Sequence, residues 1–284
     1  MRVGRIPYIN CYPVYVGIER LIVPLTARWI DGTPTALNHL MAAGSLDISV
    51  VSAVEYARLP ARYLLLPNLA ISCDGPVRSV MLFSRRPAAE LGGARVLVSR
   101  SSMTSVALLE LLFEGVWGCA PEFAPADAEL SDVSRFGDEP HDARLVIGDA
   151  ALLLGAQRAG EEKTVGAALD YTHAYDLGAA WKEWTGLPFV FAVWVAQRTA
   201  PIEDALRVHA ALSASRDWGV ANVPALAALA STRTGIATPI CAEYLAGLDY
   251  GLSDAHLGGL TEFFRRLASS GRVGHTRLAF LPAA

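Results

Sequence analysis

Residues 1–13 read Met-Arg-Val-Gly-Arg-Ile-Pro-Tyr-Ile-Asn-Cys-Tyr-Pro, and this stretch decides the fold. Its apolar side chains, at Val3, Ile6 and Ile9, predict a buried strand over residues 2–8 that is followed by the polar Asn10. In an open α/β sheet, ligands bind outside the carboxyl ends of the strands. The position of Asn10 therefore favours contact with a small molecule, while a turn or a helix cap is the alternative role for this residue.

Strands and helices alternate after this segment. We expect helices at residues 13–21 and 33–41 and strands at residues 23–29 and 46–51, an order that predicts a parallel, doubly wound sheet. A second α/β unit follows residues 85–87, and the chain is mostly helical after residue 197. The sequence thus predicts an α/β protein with two lobes and a cleft between them. We expect residues 1–86 to begin the first lobe, residues 87–193 to form the second and residues 194–284 to complete the first.

The composition is that of a globular chain without a basic surface for nucleic acid. The 284 residues are 52% hydrophobic and carry a formal charge of -4. The longest apolar run, residues 187–196, is much shorter than the roughly 18–20 residues that cross a bilayer, so no membrane partner is expected. Residues 1–13 do not resemble a secretory signal, and the cysteines are scattered, at Cys11, Cys73, Cys119 and Cys241. We therefore expect free thiols and a cytoplasmic protein.

Several motifs of metal and nucleotide chemistry are absent from the sequence. There is no phosphate-binding Gly-x-x-x-x-Gly-Lys-Ser/Thr loop, no Gly-x-Gly-x-x-Gly after a strand and no His-Glu-x-x-His. The six histidines also lack the spacing of metal ligands. We therefore expect no metal and no cofactor. Arg2, Arg5 and Arg78 are possible partners for a carboxylate ligand.

Polar residues follow several predicted strands at the point where a helix begins. Ser52, the segment 99–105 and Gly148-Asp149 share this position with Asn10. A junction of this kind offers free backbone N–H groups and the positive end of a helix dipole, although ordinary helix capping is the alternative. Four such junctions favour a cleft for a small anion. The substrate-binding candidates are Ser52, Ser101, Ser102, Thr104, Ser105 and Asp149.

Two further positions bear on the chemistry. Ser79 heads an apolar strand after the turn 73–76, where an isolated hydroxyl has little structural reason to be present. Glu55 follows the junction at Ser52 and is a carboxylate that is able either to pair on its own helix or to act as a base. The aromatic residues of 181–194 are expected to pack the core and the lobes.

Five segments occur together in an order that resembles a known family. They are 5–13 (Arg-Ile-Pro-Tyr-Ile-Asn-Cys-Tyr-Pro), 51–57 (Val-Ser-Ala-Val-Glu-Tyr-Ala), 101–105 (Ser-Ser-Met-Thr-Ser), 147–151 (Ile-Gly-Asp-Ala-Ala) and 175–194, which begins Tyr-Asp-Leu-Gly. Over residues 2–198 the chain resembles the MqnA family, the chorismate dehydratases of the futalosine pathway to menaquinone.

The resemblance implies a fold and an activity. Its fold is that of the type II periplasmic binding proteins, with a mixed sheet flanked by helices in each lobe, used here in a cytoplasmic enzyme. Its reaction removes water from chorismate, a dianion, to give 3-[(1-carboxyvinyl)oxy]benzoate. By the same resemblance, Asn10 and Ser79 take the positions of the catalytic pair, and Ser52 and residues 101–105 lie among the substrate-binding positions.

The sequence leaves several alternatives open. The base is either a protein carboxylate, Glu55 or Asp149, or the enolpyruvyl carboxylate of the substrate, which we favour because Asn10 and Ser79 are neutral. A small-anion-binding protein without chemistry, or the sister enzyme that acts on cyclic dehypoxanthinyl futalosine, would have the same fold. The oligomeric state is not evident from the sequence.

Overall fold

The computed structural model describes residues 1–127, 130–162 and 170–282. Within them the strands form two separate mixed sheets of five strands each. The first sheet contains β1 (Arg2–Arg5), β2 (Arg28–Asp31), β3 (Ile48–Ser52), β4 (Tyr63–Cys73) and β10 (Phe189–Gln197). Its order is β2-β1-β3-β10-β4. The first three strands are parallel, and β10 runs antiparallel to both of its neighbours.

The second sheet repeats this plan with a different strand order. It contains β5 (Val80–Ser84), β6 (Arg95–Ser99), β7 (Glu122–Ala126), β8 (Ala143–Ile147) and β9 (His173–Asp176). The order is β7-β6-β8-β5-β9, with β6 parallel to β7 and β8 and with β5 antiparallel to β8 and β9. Because β5 and β8 are antiparallel, the carboxyl end of β8 lies at the same edge as the start of β5. The two mixed sheets confirm the expected α/β class.

Helices flank both sheets. They are α1 (Tyr12–Glu19), α2 (Pro34–Ala42), α3 (Ala53–Arg58), α4 (Met103–Leu112), α5 (Gly148–Ala159), α6 (Leu177–Thr185), α7 (Ile202–Ala221), α8 (Val223–Thr234), α9 (Thr238–Ala246) and α10 (Asp254–Ser269). The start of α2 shows how the sequence sets these bounds: the Thr33 hydroxyl accepts a hydrogen bond from the Ala36 N–H, and Pro34 occupies the first helical position. No helix in the described ranges is both long and apolar enough to cross a membrane.

The C-terminal helices pack on elements of the first sheet and its flanking helix α1. Helix α7 packs on α1 so closely that a Cβ atom on Gly219 would lie 2.3 Å from Pro13 Cα. Helix α10 packs on β10, and α6 joins it there through edge-to-face contacts of Trp181 with Phe189 and Phe263. Because α6 follows the last strand of the second sheet, these rings pack the two lobes together.

The points at which the chain passes from one sheet to the other differ from the expected lobe limits at residues 86 and 193. Strand β5 pairs with β8 and β9 in the second sheet, and the whole of β10 lies in the first. The chain therefore passes between the sheets at residues 74–79 and again at 177–188. Both strands are continuous apolar runs, so their pattern does not tell which sheet they join. We propose that the domain boundaries lie in these two crossing segments.

A few elements also differ locally from the expectation. Strand β1 ends at Arg5, and Pro7, which has no N–H group to donate, lies just beyond its end. A 3₁₀ turn at Ile9–Cys11 then carries Asn10 into α1. The short strands β7 and β9 were not expected, because the polar residues around them gave no clear alternation.

Candidate active site

A cavity lies between the two sheets, where β1, β3 and β8 end and β5 begins. Its lining encloses about 600 Å³ of space, part of it open to solvent. Its position at the carboxyl ends of strands is the one expected for a ligand site in an α/β sheet.

The cavity brings together residues from distant parts of the chain. Five of the residues singled out in the sequence line it: Asn10, Ser52, Ser79, Ser102 and Ser105. Asn10 and Ser52 come from the first sheet, and the other three follow or precede strands of the second. The lining also includes Tyr8, Cys11 and Phe191. Burial raises the pKa of the Cys11 thiol well above its usual range, so this group is neutral at physiological pH.

Asn10 is part of the cavity lining. Its Oδ1 atom is buried, and it accepts no hydrogen bond from any residue that the structure describes. The 3₁₀ turn, closed by the Cys11 N–H to Tyr8 O hydrogen bond of 3.1 Å, holds the residue in place. A buried acceptor without a donor costs about 1–3 kcal/mol, so this oxygen is suited to a ligand that brings a donor.

Ser79 approaches the cavity from the second sheet. It is only 3% exposed, and its carbonyl oxygen accepts a 2.7 Å hydrogen bond from the N–H of Gly148. The Tyr244 hydroxyl lies beside Ser79, and this proximity acts to lower the pKa of Tyr244. The two groups nevertheless lack the geometry of a hydrogen bond. Burial raises the pKa of Tyr244, so that hydroxyl keeps its proton. The Tyr244 hydroxyl is therefore a neutral neighbour of Ser79.

Ser52 is held by Asn38, a residue that the sequence reasoning missed. Asn38 Oδ1 accepts the Ser52 N–H at 3.1 Å, and its Nδ2 donates to Ser52 Oγ at 3.0 Å. Asn38 is fully buried on α2 between Leu37 and Met41. The sequence did carry a signal for this contact, an amide residue on the apolar face of a helix, because buried polar groups usually have specific hydrogen-bond partners.

Ser102 and Ser105 form the opposite wall at the start of α4. Ser102 Oγ accepts the Ser105 N–H at 3.2 Å and donates to Ser105 Oγ at 2.8 Å. The starts of α3 and α5, at Ser52 and Gly148, face the same cavity. Helix N-termini favour anions, since their first N–H groups are unpaired within the helix and carry the positive end of the dipole.

Three of the substrate-binding candidates do not line the cavity. The buried Thr104 Oγ1 instead accepts the Val54 N–H at 3.2 Å, which links the starts of α4 and α3 across the two lobes. Asp149 Oδ1 accepts the Ile9 N–H at 3.4 Å and so links α5 to the turn that carries Asn10. Ser101 follows Ser99, whose hydroxyl accepts the Ser101 N–H at 3.1 Å. These hydrogen bonds connect the segments that surround the cavity.

The arginines considered as carboxylate partners are paired elsewhere. Arg2 binds Asp47, Arg5 binds Asp31 and Glu19, and Arg78 binds Glu161 and Glu243. Among the described residues, the cavity lining contains neither an arginine nor a lysine. The described lining therefore offers an anion no charged side chain, and the features in it that favour negative charge are the N-terminal ends of helices.

Glu55, one of the two candidate protein bases, is buried away from the cavity. Its Oε1 accepts the Tyr63 hydroxyl at 3.0 Å, and burial raises the pKa of the carboxyl. Within the described part of the chain, the cavity lining holds no carboxylate at all, nor do three or more His, Cys, Asp or Glu side chains cluster as metal ligands would.

Comparison with solved structures identifies the fold. A protein of Archaeoglobus fulgidus superimposes with a TM-score of 0.76 at 18% identity, over 96% of this chain and 98% of that one. The periplasmic aliphatic sulphonate binding protein SsuA of Escherichia coli gives 0.63 at 14% identity, over 96% and 93%. At these identities the likeness concerns the fold alone. The expected periplasmic-binding-protein-like fold is confirmed.

Sequence comparison identifies the family. A chorismate dehydratase of Thermus thermophilus is 31% identical over 268 residues, which are 92% of this chain and 95% of that protein. The sequence pattern of a family described as menaquinone biosynthesis matches residues 1–269. The chain therefore belongs to the menaquinone biosynthesis family.

Proposed function

We propose that this protein is a chorismate dehydratase, a hydro-lyase that converts chorismate to 3-[(1-carboxyvinyl)oxy]benzoate and water. The family and the Thermus thermophilus relative support this activity. The structural observation that carries the proposal is the meeting of Asn10 and Ser79, from different sheets, in one cavity surrounded by helix starts. Chorismate is a dianion, and backbone N–H groups with neutral hydroxyls are suited to bind its carboxylates.

The proposed reaction is an elimination that makes the ring aromatic. The ring carbon that bears the enolpyruvyl ether loses its proton, and the electron pair of that C–H bond forms the new ring double bond. The C–O bond of the adjacent hydroxyl breaks, and the departing hydroxide takes up a proton to leave as water. The protein has to hold the ring, position a base and assist the leaving hydroxide.

We propose that the base is the enolpyruvyl carboxylate of the substrate. The described lining of the cavity contains no carboxylate, and an asparagine amide is too weakly basic for the task. Asn10 and Ser79 then act by orienting that carboxylate and the ring hydroxyl. Ser79 is not a nucleophile of the hydrolase type, since the described cavity wall has no histidine to activate it. Holding the carboxylate and the ring hydroxyl in this orientation, in a partly enclosed site, lowers the activation barrier of the elimination.

Incubation with chorismate tests the activity. Proton NMR of the mixture should show new aromatic signals of the enolpyruvyl ether, formed in step with the loss of chorismate and absent without protein. Binding of chorismate without conversion would refute the proposal and favour the alternative of an anion-binding protein, which the sulphonate-binding neighbour illustrates. Cyclic dehypoxanthinyl futalosine, the substrate of the alternative enzyme, serves as a second substrate in the same assay.

Two substitutions test the identity of the base. Glu55→Gln and Asp149→Asn should each keep turnover within about tenfold of the parent, because neither carboxylate lines the cavity. Loss of turnover in one of them, together with a shifted pH profile, would assign the base to the protein.

We also place the protein in the cytoplasm as part of this proposal. Its four cysteines are unbridged, which suits a reducing compartment. The partner we propose is the small dianionic substrate.

A further inference from the structure

Ser79 lies at the end of a strained turn. The Ser79 N–H donates to Val77 O at 2.7 Å, a hydrogen bond that spans a single residue. The residue between them, Arg78, has a φ of 62°, in the left-handed region that a non-glycine side chain rarely adopts. A γ-turn of positive φ is rare, and such strain persists only where the surroundings enforce it.

The carboxylate of Asp176 accepts hydrogen bonds from the backbone of this turn. Its Oδ2 accepts the Arg78 N–H at 2.6 Å, and its Oδ1 accepts the Val77 N–H at 3.0 Å. The same Oδ1 caps α6 by accepting the Ala179 N–H at 3.0 Å. Asp176 therefore binds both N–H groups that precede Ser79, while its own backbone is fixed at the end of β9 beside Met81 of β5.

The helix start that carries Asp176 fits tightly against the preceding loop. A Cβ atom on Gly178 would lie 2.6 Å from Gly75 O and 2.7 Å from Cys73 Sγ. Only glycine allows this approach without a shift of the loop or of α6. The distance from Asp176 to the turn is thus set by packing as well as by hydrogen bonds.

We propose that Asp176 is a positioning residue that acts through Ser79. Its carboxylate stabilises the left-handed conformation of Arg78 and so directs Ser79 into the cavity. This inference rests on the role of Ser79 in the proposed function. Asp176 itself contacts the turn and α6, and it needs no contact with the substrate.

The near-isosteric variant Asp176→Asn tests the proposal. Its amide keeps one acceptor, but its NH₂ group would face an N–H of the turn. We expect kcat to fall about 10- to 100-fold, with KM nearly unchanged, because a small displacement of an orienting group costs rate more than binding. Asp47→Asn is the matched control, since Asp47 also accepts a backbone N–H, from Arg2 at 2.7 Å, far from the cavity. It should lower thermal stability while leaving kcat unchanged.

A double-mutant cycle separates positioning from general damage. In the background of Ser79→Ala, the further change Asp176→Asn should lower kcat by no more than about twofold, because its effect passes through the missing hydroxyl. Effects of the two changes that multiply independently would overturn the inference.

Relief of the strain gives a second readout. Glycine adopts a φ of 62° at no steric cost, so adding Arg78→Gly to Asp176→Asn should restore part of the lost kcat. Arg78→Ala in the same background is the control, because it removes the same ion pairs to Glu161 and Glu243 but keeps the strain. Equal kcat values for the two double variants would count against the proposal.

A crystal structure of Asp176→Asn decides the matter independently of activity. We expect Arg78 to leave the left-handed region and Ser79 Oγ to move. An unchanged turn would refute the role of Asp176 even if the protein dehydrates chorismate. Normal turnover of Ser79→Ala would instead refute the proposed role of Ser79, and the crystal structure would still report whether Asp176 holds the turn.

Discussion

Replacement of Asn10 by alanine should stabilise the unliganded protein while it abolishes most of the activity. The buried Oδ1 has no donor among the described residues, so its removal breaks no such hydrogen bond and relieves a desolvation cost of about 1–3 kcal/mol. At about 2–4 °C per kcal/mol for a chain of this size, the melting temperature should rise by a few degrees. Loss of one orienting hydrogen-bonding group should lower kcat by about 100-fold or more.

The measurement combines thermal unfolding without ligand and turnover of chorismate on the same preparations. Ser102→Ala is the matched control from the opposite wall of the same cavity, because Ser102 Oγ caps α4. Loss of a cap costs about 1 kcal/mol, so this variant should melt at a lower temperature. The reasoning is refuted if Asn10→Ala melts as low as Ser102→Ala, or if it retains the parent turnover.

Three further substitutions test the surrounding structure. Thr104→Val should lower the free energy of unfolding in urea by about 1–3 kcal/mol, because the buried Val54 N–H loses its acceptor; Thr104→Ser should not. Burial raises the pKa of Glu55, so folding favours the protonated carboxyl and the wild type loses stability as pH rises through that pKa. Glu55→Gln should therefore be the more stable protein at pH 7 in urea unfolding, with the difference vanishing below about pH 4. Gly219→Ala should markedly lower the melting temperature, since its Cβ would overlap Pro13; a normal melting temperature would show that α1 and α7 shift freely.

The strand ends and their polar junctions were predictable from the sequence. Strands at β1, β3 and β6 are followed by Asn10, Ser52 and the serines of α4, and each of these residues reaches the cavity. The local signal is strong there, since an apolar run stops at a hydroxyl or amide and a helix begins within a few residues.

Contacts between distant segments were not predictable in this way. Apart from their last residues, Ser84 and Gln197, strands β5 and β10 are apolar, so their sequences carry no mark of the sheet that each one joins. Asp176 caps α6, which is a local contact, but its bonds to residues 77 and 78 span about a hundred residues of chain. Arg2, Arg5 and Arg78 looked available for a ligand because nothing local shows that acidic side chains from other segments bind them.

The proposed recognition of an acid through main-chain amides has an evolutionary consequence. Because no basic side chain belongs to the described cavity wall, no single codon change there deletes a positive charge. Homologous proteins would then change which acid they bind by changing the size of lining side chains such as Phe191, while the backbone N–H groups that bind the acid stay the same. In such a site the fold of the backbone would determine that an acid binds, and the volumes of the side chains would determine which acid binds.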